Sequence, residues 1–453
     1  MKVIHALSAL TSSGWRADVR IGIDAGKIAS VEVGLPAGAA DERHAIVIAG
    51  MPNLHSHAFQ RGMAGLAESR GPSTDSFWSW RETMYRFALS MTPEQMEAVA
   101  AQAYAEMLEA GFTRVGEFHY LHHDRDGRRY GNIAEMSERI AAAASDTGIE
   151  LTLLPSFYAH STFGGAAPGE KQRRFINGLD SYALLLDGCR AATKAMPGSV
   201  IGVAPHSLRA VTADELATVA GLVPGGPVHI HAAEQVREVE DCLSWSGVRP
   251  VEWLLANAGL GARWCLIHAT HMTETETRDL ASSGAHVGLC PITEASLGDG
   301  TFPAPSFAGN GGRYGVGSDS NVLIGVADEL RQLEYSQRLR HQARNVMAPA
   351  NGSTGRALLD GALAGGAALT DASELGLQAG AGANLVSLDA GHPALVGRSG
   401  DAILDSWIFA SKDRDIVDCV WVRGEKRVEG GRHLQRRRVV ERFRAAMEAL
   451  LAA

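Results

Sequence analysis

The chain has 453 residues, with 42 lysines and arginines against 51 aspartates and glutamates, giving a formal net charge of -9. Hydrophobic residues at 45% and charged residues at 21% describe a globular chain that can bury a large core, and they exclude a disordered or fibrous one. The densest basic run is Arg436, Arg437 and Arg438 near the C-terminus, so no broad basic surface is available and nucleic acid is not an expected partner.

At the N-terminus, Met1-Lys2 followed by the apolar residues 3–10 has the outline of a signal peptide, but His5 interrupts it and no small-residue cleavage site follows. No later stretch is long and apolar enough to cross a bilayer. Cys189, Cys242, Cys265, Cys290 and Cys419 are scattered, odd in number and without a C-x-x-C pair, which argues against a disulfide framework or a thiolate zinc site and for a reducing compartment. These features predict a soluble protein of the cytoplasm.

Residues 19–33 read as a hairpin around Asp24-Ala25-Gly26. From about residue 45 to about residue 375, short apolar runs alternate with longer amphipathic segments, the pattern of repeated βα units. Strands are predicted at 45–51, 113–118, 150–156, 200–204, 228–231, 264–268, 286–289 and 314–317, and eight of them suggest a closed barrel. Thr92-Pro93-Glu94-Gln95 combines an N-cap, a proline at the first helical position and a capping-box glutamine, and Thr212 with Glu215 and Thr273 with Glu276 repeat that spacing. The glycine-rich residues 298–315 read as a long loop, a feature that is often functional. Residues 384–396 and 403–428 show short β-rich runs, and 445–451 a terminal helix. The expected architecture is an α/β chain: a (β/α)8 barrel over residues 48–380 and a small β domain from 1–47 with 381–453.

His55-Ser56-His57 follows the first apolar run. Residues two apart on an extended chain face one side, so both imidazoles can reach one ion. The motif alone is weak, because 17 histidines placed at random would give roughly 0.6 such pairs. His231 ends another run and is followed three residues later by Glu234; His229 shares its face, and spacing does not choose between the two histidines. Asp319 ends the eighth predicted strand, and His268 the sixth, with His271 placed as a supporting or structural residue. Strand C-termini of a barrel converge on one mouth, where these distant residues would meet. Three imidazoles and a carboxylate with an open position match a catalytic zinc site, whose ion brings the ionisation of water toward about pH 7. Glu234 would then carry a proton toward a substrate nitrogen and His268 would orient the attacking water.

Together, Pro52-Asn53-Leu54-His55-Ser56-His57, His231-Ala232-Ala233-Glu234, His268 and Gly317-Ser318-Asp319 resemble the amidohydrolase superfamily, in particular its mononuclear deaminases, over nearly the whole chain. The resemblance implies a distorted barrel flanked by a β-sandwich built from both termini. It implies one zinc held by His55, His57, His231 and Asp319, with Asp319 also accepting the water proton. Residues 200–207 contain no lysine, the residue that bridges two metals in binuclear relatives. A finer resemblance, to the N-formimino-L-glutamate deiminases, is carried by His57-Ala58-Phe59-Gln60-Arg61-Gly62-Met63, Trp80-Arg81, Glu117-Phe118-His119-Tyr120 and Cys290-Pro291-Ile292-Thr293-Glu294-Ala295. It implies a pocket lined by Gln60, Arg81, Tyr120, His206 and Arg209, a small acidic amidine as substrate, a place in histidine degradation and a homodimer. An arginine fork matches a carboxylate, so Arg81 and Arg209 would each take one of the substrate's two. The competing expectations are an aminopurine or adenosine-type deaminase on the same metal site and a silent barrel kept as a scaffold. Whether Glu294 enters the site or caps a loop is left open by the sequence.

Overall fold

The computed structural model describes residues 2–70, 77–412 and 415–452, so Met1 lies outside the described residues. Strands Lys2–Thr11 (β1), Gly14–Asp24 (β2), Lys27–Val33 (β3) and Glu42–Ala49 (β4) open the chain. The turn between β2 and β3 falls on Ala25 and Gly26, with φ of 47° and 79°, the paired left-handed conformation that joins a two-residue hairpin to twisted strands.

The expected strand at 45–51 is in fact divided between two sheets. The chain pairs with β1 up to Val47 and with residues 385–388 up to Ala49, but Gly50 N donates to Asn384 O (2.9 Å) and Met51 N to Gly111 O (3.1 Å), so the hydrogen-bond partner changes there. The first barrel strand is therefore Met51–Ser56 (β5), followed by Phe112–His119 (β6), Glu150–Phe157 (β7), Val200–Ile201 (β8), Ala204–Pro205 (β9), Val228–Ala232 (β10), Trp264–His268 (β11), His286–Leu289 (β12) and Arg313–Val316 (β13). The fourth barrel position is split into β8 and β9 because Gly202 N bonds back to Leu153 O while Val203 N bonds forward to Pro227 O. Parallel pairing runs from β5 to β9 and from β10 to β13. Bridges Val203 to Val228 and Ser56 to Asp319 join the two arcs, and the barrel closes.

The helix signals act where they were read. Thr92, Thr212 and Thr273 each accept from the backbone N–H three residues on, and the Gln or Glu at that position reaches back. In the helix Pro93–Glu109, Met96, Val99, Ala103 and Met107 are buried as their spacing predicts, within a helix buried on every side from Ala98 to Glu109. The loop expected at 298–315 holds a short helix, Ala304–Gly309, before β13; its prolines at 303 and 305 start a helix as readily as they interrupt a strand.

Beyond the barrel come Leu385–Leu388 (β14), Val417–Val422 (β15), Glu425–Glu429 (β16) and Arg432–His433 (β17). They join the first four strands in one mixed sheet of order β17-β16-β15-β14-β4-β1-β2-β3. Ile28 N donates to Ala381 O (2.9 Å) and Lys27 bridges Gly382, so the sheet folds over Ile4, Val19, Ile21, Val47, Leu385 and Trp421 as the terminal β-sandwich. Two expectations are corrected here. Asp401–Ala410 is helical, burying Ile403, Leu404, Trp407 and Ile408 with helical rather than alternating spacing. The last helix starts at Arg436 rather than 445, since the arginine run pairs with acidic residues on barrel helices: Arg436 with Glu109 at 2.9 Å, Arg442 with Glu97 at 2.5 Å, and Arg438 with Asp146.

Beneath the ligand-bearing end of β5, Leu54 is fully buried in space that glycines leave free. A Cβ on Gly315 would lie 2.5 Å from Leu54 Cδ2, and one on Gly116 2.6 Å from Leu54 O. Leu54→Ala should empty this interior and lower the unfolding free energy by about 2–5 kcal/mol in urea denaturation; a loss under about 1 kcal/mol would contradict the packing described.

Candidate active site

His55 and His57 flank the end of β5, and His231 lies near the end of β10. His57 N donates to Asp319 O and Asp319 N to His55 O, both at 2.9 Å, which fixes the strand ends bearing these side chains against one another. His57 Nδ1 lies 2.8 Å from Phe118 O and His231 Nδ1 2.9 Å from His206 O. A carbonyl oxygen only accepts, so each Nδ1 carries the hydrogen and each Nε2 presents a lone pair. Burial pushes the pKa of all three imidazoles down, keeping them neutral.

The lone pairs converge. His55 Nε2 is 3.2 Å from Nε2 of both His57 and His231, and Asp319 Oδ1 lies 3.4 Å from His55 Nε2 and 3.5 Å from His57 Nε2. Neutral nitrogen lone pairs and a carboxylate oxygen facing one another in a buried space repel unless a cation lies between them. The donor set of three imidazoles and one carboxylate fits a divalent ion of the zinc type, and the carbonyls behind His57 and His231 are the outer partners such ligands require. His229 is removed from this group, because its Nε2 lies 3.0 Å from Ala368 O; burial pushes its pKa down to about 4. It is a core histidine anchored through Nε2 and turned away from the converging group. His271 does not line the pocket; its backbone N–H donates to Ala233 O at 3.0 Å, a structural role.

A second cluster adjoins the first. His268 Nε2 lies 3.7 Å from Glu234 Oε1 and 3.9 Å from Asp319 Oδ2, while its Nδ1 is 3.2 Å from Glu294 Oε1. Burial opposes a charged imidazole here, but Glu234, Glu294 and Asp319 outweigh it and raise His268 to about 10. Burial raises the Glu234 carboxyl to about 7, against the pull of His268 and Arg209. Glu294 both accepts from Cys290 N (2.9 Å) and supports His268, so it caps the turn and holds the ring. Ala233, His268, Ala269, Asp319 and Asn321 all have positive φ, and such left-handed non-glycine residues concentrated at strand ends mark a strained, over-determined site.

The residues expected to line the pocket do so together. Gln60, Arg81, Tyr120, His206 and Arg209 share one cavity with His57, His231, Glu234, His268 and Asp319. Gln60 Nε2 donates to Tyr120 Oη at 2.9 Å. Neither Arg81 nor Arg209 has a carboxylate partner among the described residues, so the cavity carries two guanidinium groups for a ligand to neutralise. Sequence reasoning missed Asn53 and Asn321, although the first stands inside a quoted motif and the second two residues beyond Asp319. Asn53 Oδ1 accepts from Ser318 N (3.1 Å) and His55 N (3.3 Å), and Asn321 Nδ2 donates to Asp319 O (2.9 Å) and His57 O (3.1 Å). Their amides bind the strand ends that carry the ligands. Tyr158 and Phe175, on the cavity wall, were also missed, because both lie in the long connection after β7, where no periodic spacing reports which side chains face the cavity.

The chain matches the model of the Amidohydrolase family over residues 46–427 and belongs to that family. Residues 1–45 match the model described as the N-terminal domain of formimidoylglutamate deiminase HutF. The chain is 50% identical over 456 residues, covering all of both chains, to the formimidoylglutamate deiminase of Pseudomonas aeruginosa. It is 28% identical over 425 residues, 90% of this chain and 88% of the relative, to the 8-oxoguanine deaminase of the same organism. A crystal structure of an amidohydrolase from Brucella melitensis, 62% identical, superposes over all of both chains with a TM-score of 0.97.

His231→Ala should weaken metal retention at least about tenfold, measured by atomic spectroscopy after dialysis against a graded chelator, with an unchanged circular dichroism spectrum. Parental retention would contradict the assignment of His231 to the converging donors.

Proposed function

We propose that the chain hydrolyses N-formimino-L-glutamate to N-formyl-L-glutamate and ammonia, with one zinc held by His55, His57, His231 and Asp319. The observation that carries the substrate is the pair Arg81 and Arg209, neither within ion-pair distance of a carboxylate among the described residues, in the cavity that contains Glu234 and His268. Arg209 is buried and Arg81 half-buried; a charge so desolvated without a counter-charge is costly, and the two carboxylates of formiminoglutamate supply one for each. The whole-chain likeness to the Pseudomonas aeruginosa formimidoylglutamate deiminase supports the same reading.

When bound, the ion supplies Lewis acidity that makes the ionisation of water accessible near neutral pH. The chain supplies orientation and proton transfer. Nε2 of His268, directed toward Asp319 Oδ2, orients the attacking water. Asp319 Oδ2 accepts its proton as oxygen adds to the formimino carbon. Glu234, whose raised pKa leaves a useful share protonated near pH 7, donates to the imino nitrogen. Asp319 then passes the water's proton to the same nitrogen while Glu234 takes the proton left on the added oxygen, so that cleavage of that carbon–nitrogen bond releases ammonia, leaves the formyl oxygen and restores both carboxyl groups to their starting state. Arg81 and Arg209 clamp the carboxylates so that the carbon stays over the proton carriers.

The five free cysteines support a reducing, cytoplasmic setting in histidine degradation, and the homodimer implied by the family likeness can be tested by sedimentation. An aminopurine deaminase is the less favoured reading, since a neutral base leaves both guanidinium groups without a counter-charge.

Glu234→Gln should cut kcat for ammonia release from formiminoglutamate by about 10²–10⁴-fold while retaining metal; near-parental kcat would remove Glu234 from the proton path. Arg81→Met and Arg209→Met should each lower kcat/KM by roughly 30-fold or more, the loss expected when one side of a buried charge pair is truncated. Unchanged kcat/KM in both would contradict the carboxylate clamp.

A further inference from the structure

Tyr158 follows β7 and is buried in the wall of the cavity beside Arg81 and Arg209. The mechanism above gives it no role. Its hydroxyl oxygen is approached by two groups: Arg81 Nη2 at 3.3 Å and Gln172 Nε2 at 2.7 Å. The polarity of both contacts is fixed. A guanidinium only donates. The Gln172 amide is oriented by Gly169, whose N–H donates to Gln172 Oε1 at 2.7 Å; this places the amide NH2, also a donor, toward Tyr158. The phenol oxygen therefore accepts twice from the protein. Its own hydrogen has no acceptor among the described residues and must point away from both donors, and the side open to it is the cavity.

A buried hydroxyl hydrogen without an acceptor is unfavourable, so this geometry calls for a ligand oxygen at that place. The ring cannot readily turn away, being held edge-on to His206 at 4.6 Å between centroids and packed against Phe175 at 5.9 Å. We infer that Tyr158 is a further substrate-binding residue, donating its phenolic hydrogen to the same carboxylate that Arg81 pairs, with Gln172 as the positioning residue that sets the direction of that bond. The inference rests on the formiminoglutamate reading. It adds a neutral, directional donor beside the guanidinium fork, so that one carboxylate is held by groups from two elements.

The test compares the wild-type enzyme, Tyr158→Phe and Gln172→Leu, all metal-loaded, on three substrates: N-formimino-L-glutamate, N-formimino-4-aminobutyrate, which lacks the α-carboxylate, and N-formimino-2-aminobutyrate, which lacks the side-chain carboxylate. Tyr158→Phe should raise KM for formiminoglutamate roughly tenfold or more, the effect of one hydrogen bond to a charged group, with little change in kcat. On the analogue lacking the carboxylate at Arg81, the variant and the wild type should have the same kcat/KM. Gln172→Leu should show a smaller KM increase with the same dependence on substrate, and it supplies the decision if Tyr158→Phe does not fold. Equal losses on all three substrates would make Tyr158 merely structural, and unchanged KM in both variants would remove it from the site; either result overturns the inference while wild-type turnover leaves the substrate reading intact. Wild-type silence on formiminoglutamate would overturn that reading and this inference with it.

Discussion

Three imidazole lone pairs aimed at one another and at a carboxylate are the constraint on which the rest of the structure depends. The arrangement of His55, His57, His231 and Asp319 is repulsive by itself and exists because two of the rings and the strand ends that bear all four side chains are held by hydrogen bonds. Phe118 O and His206 O fix two tautomers, and the Asn53 and Asn321 amides bind the strand ends. The left-handed backbone at Asp319 and Asn321 is sustained by the same bonds. A barrel provides these supports because its parallel strands end in one ring, where each ligand can be held by the backbone of its neighbour. Gly317 shows how close that approach is: a Cβ there would lie 2.6 Å from His55 N and 3.0 Å from His55 Cβ.

Around this fixed point the electrostatics divide into two regions. On the ligand side, burial keeps imidazoles neutral. Beside it, Glu234, His268, Glu294 and Asp319 lie close enough to exchange influence, and the same burial that lowers the other histidines fails to lower His268, because three carboxylates surround it. Opposite shifts in adjacent groups set the three converging imidazoles, held neutral, apart from His268 and Glu234, the groups proposed to handle the water and the proton. The arginines on the far wall complete the polarity of the cavity by leaving positive charge where the substrate's own charge belongs.

Much of this was legible in the sequence because the chemistry lies in short motifs at the ends of apolar runs. His55, His57, Glu234, His268 and Asp319 meet in the structure as strand-end geometry required, and the pocket residues taken from family likeness line the same cavity. What spacing could not decide was set by tertiary partners. His229 and His231 alternate identically along β10, and only Ala368 O, 139 residues away in sequence, shows that the first is a core residue. The boundary at Gly50 was hidden because residues on either side are equally apolar and only their hydrogen-bond partners differ. The helix Asp401–Ala410 was misread from its dense apolar content, where β and helical periods are hard to separate over so short a run. Tyr158 was invisible because its meaning lies in the direction of two donors, Arg81 on a helix 77 residues earlier and Gln172 on a 3-10 turn 14 residues later.

The most direct test of the account is ammonia release by the zinc-loaded protein from N-formimino-L-glutamate, measured beside 8-oxoguanine, adenosine and S-adenosylhomocysteine at equal concentration. The account requires rapid release from formiminoglutamate and little from the three purine compounds. Release from a purine compound alone would keep the metal-site chemistry and contradict the claim that two unpaired arginines select a dicarboxylate.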